Sequence, residues 1–403
     1  MVEKSFSLFG REIFRVERNR AGQFSYQFFN GDDFVNSENY IHLSLTNPVL
    51  MTIIALRSKI YSQMDIQHYD QKGQIIENSP YVKLLKSPNY FQSGEDFLFQ
   101  QMWFMSAAGV DYTYQIKAFS NDIPKALYNL IPSEIDFKDQ HKVKNFIVTD
   151  KDKKAFGDRQ IEYKLDNQTY KISIKDLIPF YDLSNGLKPN GFISSPSRVK
   201  GISKVLENIE QNLKSKNVNL QMSQKYIGLN QSNGNEAQIK DGDRKSIEGK
   251  IGSKSLILTN ANVDVKHLVS DFKRLYLDEQ FSQDALKCLL AYDMNKDVLN
   301  FFGTGGSTFE NQEKGELRYL QNSIMTTANN TMNSFSQQWG LFERGEKLVA
   351  SYDHLNIMQP VMNEKIDSFK KMQETIKIGL ENKTLTEAEA KKMSDDFKIK
   401  LGL

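Results

Sequence analysis

The chain has 403 residues, 39% hydrophobic and 25% charged, with a formal charge of +2. That length exceeds one ordinary core, so two or three domains are expected, and the composition is globular rather than disordered. The near balance of charge excludes the global basic field of a DNA-coating protein, but not a chain that lets DNA run through a cavity. The single cysteine, Cys288, excludes an internal disulfide and a cysteine-based zinc site. It is expected to be a small buried residue, in a chain compatible with a reducing cytoplasm. The opening MVEKSFSLFGREIFRVERNR has no uninterrupted apolar run, so no signal peptide is expected. No window approaches the ~18 apolar residues of a membrane span.

Residues 1–40 mix aromatic and polar residues (Phe24, Tyr26, Phe28, Phe29, Phe34) without clean periodicity. They read as an extended arm that would lie on a neighbour in an oligomer. Asn47-Pro48 opens a helix, PVLMTIIALRSKIYSQ, with proline in the tolerated first turn. Leu50, Ile53, Ile54, Leu56 and Ile60 cover much of its circumference, which predicts deep burial. Ser93 is the expected N-cap of the next helix, with Glu95 and Asp96 at the positive end of its dipole. Phe97, Leu98, Met102, Trp103 and Met105 run along it before Gly109 stops it. Val110–Ile116 alternates as a strand, with 125–131 as its antiparallel partner. Further strands are expected at 145–148, 161–165 and 169–174, the last two joined at Asp166-Asn167. This half reads as α+β, helices on a mostly antiparallel sheet, and residues 177–181 close it.

Ser195-Pro196-Ser197 reads as an N-cap at Ser195 followed by proline at the first helical position. Val199, Ile202, Leu206, Ile209 and Leu213 follow at steps of three and four. A stripe this narrow suits one helical partner or one neighbouring subunit. Continued to about residue 224, the helix would be ~45 Å long. From 228 to 253 the composition shifts to GLNQSNGNEAQIKDGDRKSIEGKIGS. Two readings stand: a disordered linker, or a small exposed hairpin module that would include a strand at 255–259.

Residues 265–339 read as helix, glycine-rich loop and helix. Leu268, Phe272, Leu275, Leu286 and Leu290 mark the apolar face of the first arm. The loop is Asn300, Phe301, Phe302, Gly303, Thr304, Gly305, Gly306, Ser307, Thr308 and Phe309, whose glycines permit backbone angles that other residues avoid. The second arm carries Leu317, Leu320, Ile324, Thr331, Phe335 and Trp339. The polar run 326–331 interrupts that stripe, and a kink is expected there because hydroxyls and amides compete for helix hydrogen bonds. Lys347–Ser351 is a short strand. The tail from Met362 is two charged helices, the second opening on the capping box Thr386-x-x-Glu389.

No catalytic spacing emerges. His42, His68, His141, His267 and His354 are scattered, without an i, i+4 pair, and are expected at the surface or half-buried. In the Gly303–Ser307 segment the last glycine, Gly306, is followed by Ser307-Thr308-Phe309 where a phosphate loop needs lysine, and no buried parallel strand precedes it. The chain is therefore read as non-enzymatic, with no cofactor and no metal. Asp271, Asp278, Glu279 and Asp284 follow helical spacing on the first arm, as a solvated face or as the lining of an aqueous channel.

From Asn47 to Leu403 the order of segments resembles the portal proteins of tailed bacteriophages with HK97-like heads. LLKSPNYFQSGEDFLFQQMWFMSAAGVDYTY is similar to the family's L-L-x-x-P-N segment, helix and glycine-bearing strand, and PKALYNLIPSEIDF to its L-x-x-L-x-P-x-x-V strand. DLIPFYDL and SSPSRVKGISKVLENIEQNL resemble its D-I-I-H strand and G-x-S-P-L helix. GGSTFENQE resembles the loop before its last long helix, and LENKTLTEAEAKKM its C-terminal G-x-L-T-x-N-E-x-R. The chain departs from that pattern in places. Tyr181 and Asp182 stand where family members often carry histidine and a basic residue. Asn295-Lys296-Asp297 replaces the usual V-P, and the last long helix lacks a proline near 327–330.

The resemblance implies a homo-oligomeric ring, usually of twelve subunits, at the unique capsid vertex of a virion. It would be assembled in the host cytoplasm against the major capsid protein, with no membrane partner. Double-stranded DNA would pass through it during packaging and ejection, driven by a terminase large subunit whose place a head–tail connector later takes. The implied parts are an arm (1–40), a wing (41–194), a first stem helix (195–225), a clip (226–264) and a second stem helix (265–293). A tunnel loop, long helix and wing strand (294–361) and a helical crown (362–403) follow. The loop Asn300–Phe309 would face DNA in the tunnel. Asn230, Asn233, Lys240, Asp243, Arg244 and Lys245 in the clip would meet terminase and connector. Val199, Ile202, Leu206, Ile209 and Leu213 would supply an apolar ring seam. A weakly charged loop suits a moving duplex, because lysine or arginine clamping adds salt-sensitive affinity with each phosphate neutralised. The readings of other classes are a soluble nucleotide-dependent enzyme using the Gly303–Gly306 loop, and a ring scaffold without a DNA role.

Overall fold

The computed structural model describes residues 2–8, 11–18, 24–28, 37–118, 123–136, 159–165, 168–184, 195–223, 226–230, 263–267, 277–299, 309–382 and 385–401. At the start of the chain, β1 (Val2–Leu8), β2 (Arg11–Arg18) and β3 (Phe24–Phe28) pair antiparallel in the order β1-β2-β3. An unpatterned extended arm was expected here. The step of two in Phe24, Tyr26 and Phe28 is a strand period, and Phe14 pairs with Phe28 and Val16 with Tyr26 across β2 and β3. The expected strand at 145–148, the turn 166–167 and the strand at 255–259 lie outside the described residues.

Three helices make the first layer: α1 (Ser37–Thr46), α2 (Pro48–Ser62) and, after β4 (Asp65–Tyr69) and α3 (Pro80–Lys86), α4 (Gly94–Ala108). Asn47 caps α2 by accepting from the Leu50 amide at 3.1 Å, and Pro48 occupies the first turn. Val49, Leu50, Ile53, Ile54 and Tyr61 are then buried between α1 and α4, as a helix apolar on most sides requires. Ser93 and Asp96 close a reciprocal capping box on α4, and Gly109 ends it in the left-handed region, at φ 84°.

The Gly109 turn delivers β5 (Val110–Ile116), which pairs antiparallel with β6 (Ala126–Leu130) and, after β7 (Ile135–Asp136), β8 (Gln160–Leu165) and β9 (Gln168–Ser173), with β10 (Leu177–Tyr181). The order is β10-β5-β6, while β7-β8-β9 form a second antiparallel sheet, and the two share a small core that includes Tyr112, Leu130, Leu177, Ile161 and Ile172. The mixed helix-and-antiparallel-sheet class expected from the sequence is present.

The next helix begins later than its proline suggested. Ser197, not Ser195, accepts from the Val199 amide and caps α5 (Arg198–Gly201), which leads into α6 (Ser203–Ser223). Both serine hydroxyls are used to tie this segment to the end of α4. Ser195 donates to the Gly109 carbonyl at 2.5 Å and Ser197 to the Ala107 carbonyl at 2.6 Å. Beyond α6, β11 (Tyr226–Asn230) pairs antiparallel with β12 (Val263–His267), and α7 (Leu277–Ala291) returns alongside α6. Lys266 and His267, expected to open a helix, are strand residues.

The kink expected at 326–331 is not there; the irregularity is a π-helical turn just before it. α8 (Phe309–Tyr319) passes through a π-helical turn at Leu320–Ile324 and then continues as α9 (Met325–Gln338). The polar run 326–331 is regular helix. Its hydroxyls do bond back to the preceding turn, Thr327 to Ser323 O at 2.9 Å and Thr331 to Thr327 O at 3.1 Å, without ending the helix. Leu320, Ile324, Thr331 and Phe335 are buried as their spacing implied. Next, β13 (Lys347–Ser351) pairs with β4 and covers α9. α10 (Gln359–Glu381) packs on α11 (Glu387–Leu401), which Thr386 and Glu389 cap reciprocally.

Gly109 has both a positive φ and no room: a Cβ would lie 2.7 Å from the Ser195 carbonyl oxygen and 2.9 Å from that of Pro196. Gly109→Ala is expected to lose about 1–3 kcal/mol of stability. Denaturant unfolding checks this, and a loss under about 0.5 kcal/mol would mean that the turn can rearrange.

Candidate functional site: a helical hairpin on a buried ionic joint

The α6–α7 hairpin, with its terminal β11–β12 ribbon, is anchored through charged residues in the interior. Arg57 lies on the largely apolar α2 and is fully buried. Its Nη2 donates to Asp182 Oδ1 at 2.6 Å, and the Asp182 carboxylate is itself fully buried just past the end of β10. Arg198, in the first turn of α5, donates from Nε to the other oxygen, Asp182 Oδ2, at 2.6 Å. The same guanidinium reaches the far end of the hairpin: Nη1 donates to the Ala291 carbonyl at 2.7 Å and to Asp293 Oδ2 at 3.0 Å. A cation at a helix C-terminus meets the negative end of the dipole and an unsatisfied carbonyl. Ser323, in the π turn, donates to Asp293 at 3.3 Å.

Tyr292 fills the space between the arginines. Both guanidinium carbons lie 5.7 Å from its ring centre, and its hydroxyl donates to the Ser106 carbonyl at 3.1 Å. Burial alone would push the Asp182 carboxyl up. The Arg57 and Arg198 charges and their hydrogen bonds outweigh that and hold it below the ordinary carboxylate range. Burial pushes the Tyr292 phenol far up, so it stays neutral. α2, the end of β10 and the root of the hairpin meet at the Asp182 carboxylate, and Arg198 links it to the end of α7, where Asp293 receives the π turn.

Along the hairpin, Val199, Ile202, Leu206 and Ile209 are buried within the chain, against the face of α7 that carries Ala285, Cys288 and Leu289. Of the five residues read as a ring seam, only Leu213, 37% accessible, retains appreciable surface. The phase of α7 also differs from the reading of its sequence: Leu289 faces inward and Leu290 is 68% exposed. Cys288 is buried, as expected, and burial pushes its thiol up to about 12. The acidic row divides. Asp278 is exposed and pairs with Lys216, whereas Asp284 is nearly buried and receives Lys287 at 2.8 Å. A polar cleft of about 580 Å³ lies between the helices, lined by Gln211, Asn212, Gln283 and Asp284 among others. Asp271 lies outside the described residues.

Of the expected loop, 300–308 lie outside the described residues and Phe309 opens α8. Of the clip set, Asn230 ends β11, whereas Asn233, Lys240, Asp243, Arg244 and Lys245 lie outside. His68 corrects the reading of the histidines. It is 3% exposed, with Nδ1 2.9 Å from Ser79 Oγ and Nε2 3.4 Å from Glu346, and burial lowers its pKa. Among the described residues, no group of three or more His, Cys, Asp and Glu is placed to hold a metal. No described helix is long and apolar enough to cross a membrane.

No protein-family model matches the sequence, and no curated protein matches it significantly. Solved structures do. A chain in the neck of a native gene transfer agent particle, computed with C12 symmetry, superposes with a TM-score of 0.62 at 10% identity, covering 91% of this chain and 93% of that one. The neck of an empty particle, computed with C6 symmetry, gives 0.62 at 11% over the same shares. An HK97-family phage portal protein from Corynebacterium diphtheriae gives 0.50 at 10%, over 76% of this chain and 93% of that one. The fold is thus that of the HK97-like phage portal proteins.

Removing the carboxylate leaves two buried arginines without their shared counter-ion. Asp182→Asn is expected to cost about 3–5 kcal/mol in denaturant unfolding. The pH dependence has a sign. Because the folded carboxyl is held low, its contribution is complete above the ordinary carboxylate value of about 4 and is lost as pH falls through the folded value. Wild type should therefore lose stability in acid more steeply than the variant.

Proposed function

We propose that this chain is a portal protein: a homo-oligomeric ring at one vertex of a tailed-phage or gene-transfer particle, acting as a DNA conduit and docking hub rather than as an enzyme. The observation that carries the proposal is the superposition over nearly the full length of both chains on a component of a particle neck with twelvefold symmetry. A ring of this kind is a head-to-tail contact that closes. Because the inner stripe of the hairpin is used within the chain, the contact between subunits is assigned to outward residues, Leu213 and Leu290 among them.

The wing is residues 41–194 with the helix and strand of 312–360. The hairpin is the stem, residues 226–264 the clip and 362–403 the crown. The antiparallel ribbon at the end of the hairpin supports the clip assignment, since it holds the two ends of residues 231–262 together at the point farthest along the chain from the joint. Asn230, Asn233, Lys240, Asp243, Arg244 and Lys245 then form a contact of mixed charge for a terminase large subunit and later for a head–tail connector. Mixed rim charges suit partners that must exchange, because exposed ion pairs are each worth little. The loop Asn300–Phe309 joins the segment after α7, where Asp293 meets Arg198, to the start of α8. It is proposed to face double-stranded DNA, where small uncharged residues do not clamp phosphates.

The mass and symmetry of the purified protein, from light scattering and averaged electron images, test the reading. A closed ring with a central hole, of about twelve subunits, is expected. A species that stays monomeric at high concentration and binds nucleotide would overturn it in favour of an enzyme. Deleting residues 302–309 is expected to leave rings intact while impairing DNA packaging or retention. Failure to assemble would instead make the loop structural.

A further inference from the structure

A second carboxyl group in the interior has no arginine. Asp111 is fully buried on β5, opposite Phe180 of β10, and among the groups acting on it there is no cation. Its neighbours are the Gln101 amide on α4, the Thr113 hydroxyl, the Tyr112 backbone N–H and the Tyr61 phenol on α2. Tyr61 and Tyr112 are held neutral by burial, and Arg57, the cation that acts on Tyr61, is engaged with Asp182.

The protons in this cluster can be counted. Asn129 on β6 donates from Nδ2 to the Phe97 carbonyl at 2.8 Å, which fixes the orientation of its amide. Its Oδ1 therefore faces Thr113 Oγ1, 2.9 Å away, and must receive the hydroxyl proton. A threonine hydroxyl has one proton, so nothing is left for Asp111 Oδ2, 3.2 Å on the other side. An ionised carboxylate there would set lone pair against lone pair at Oδ2, with no hydrogen bond closed to Oδ1, and burial outweighs what the nearby Gln101 amide and Tyr112 N–H offer the charged form.

We infer that Asp111 is held as a neutral carboxylic acid that donates to Thr113. This completes a directed chain from Asp111 to Thr113, from Thr113 to Asn129, and from Asn129 to the Phe97 carbonyl. It ties β5 and β6 to the first turn of α4. The carboxyl is pushed well above its ordinary value, first by burial. A group raised in the folded state contributes stability that is complete below its unfolded value, about 4, and is lost as pH rises through the folded value. The lock therefore loosens toward alkaline pH, in the opposite sense to Asp182.

Infrared spectroscopy of the wild-type chain at neutral pH is expected to show the carbonyl stretch of a protonated acid, absent in Asp111→Asn. Thr113→Val removes the acceptor and should shift that band. In thermal unfolding from about pH 6 to about pH 9, Asp111→Asn, whose amide replaces the acid donor without titrating, should show the flatter profile. Absence of the band in wild type would overturn the inference whether or not the variants fold. So would a Thr113→Val spectrum identical to wild type, or equal pH slopes for wild type and Asp111→Asn.

Discussion

The architecture depends on one shared counter-ion. Two guanidiniums without a partner would carry a desolvation cost of several kcal/mol each, so the fold is tenable only where Asp182 reaches both. Reaching both fixes geometry as well as charge. Arg57 belongs to the deepest helix and Arg198 to the root of the hairpin. Asp182 is held in place by its own amide, which donates to the Gly109 carbonyl at 3.1 Å. The hairpin cannot tilt relative to α2 without breaking bonds from a carboxylate that has no water to replace them.

The packing around this point follows the same requirement. Tyr292 presents a ring to both cations and sends its hydroxyl to Ser106, so one side chain fills the gap and secures α7 to α4. The π turn occurs where α8 and α9 pass the joint, with Ser323 turned to Asp293 and Leu320 and Ile324 in the core. A π turn inserts a residue into the helical repeat and is common where a helix must serve two demands at once. Gly109 completes the set. Its carbonyl accepts both from the Asp182 amide and from Ser195, and its missing Cβ leaves room for the Ser195-Pro196 backbone.

Much of the local structure was legible because its causes are local. Asn47, Ser93 with Asp96, Gly109, and Thr386 with Glu389 each bond or turn within a few residues, and each acts as its chemistry implied. Errors arose where a residue answered to something distant. Ser195 has the form of a cap but is drawn to the end of α4, which leaves the cap to Ser197. The threonines of α9 have the chemistry to bend a helix, yet the irregularity lies one turn earlier, at the joint. The portal resemblance was carried by the order of segments, and the fold agrees with it. The residues that hold the hairpin, by contrast, include the very position, Asp182, at which the chain departs from that pattern.

The sequence by itself determined the caps at Asn47, Ser93 and Thr386, the burial of Leu50, Ile53 and Ile54 on α2, and the α+β class. Those depend on periodicity and capping within a few residues. Only the tertiary structure decided that the hairpin stripe faces inward, that Leu289 rather than Leu290 is enclosed, and that Arg57 is a core residue. The reason is physical. A buried charge is tolerable only when its partner is in place, and that partner, Asp182, lies 125 residues further along the chain.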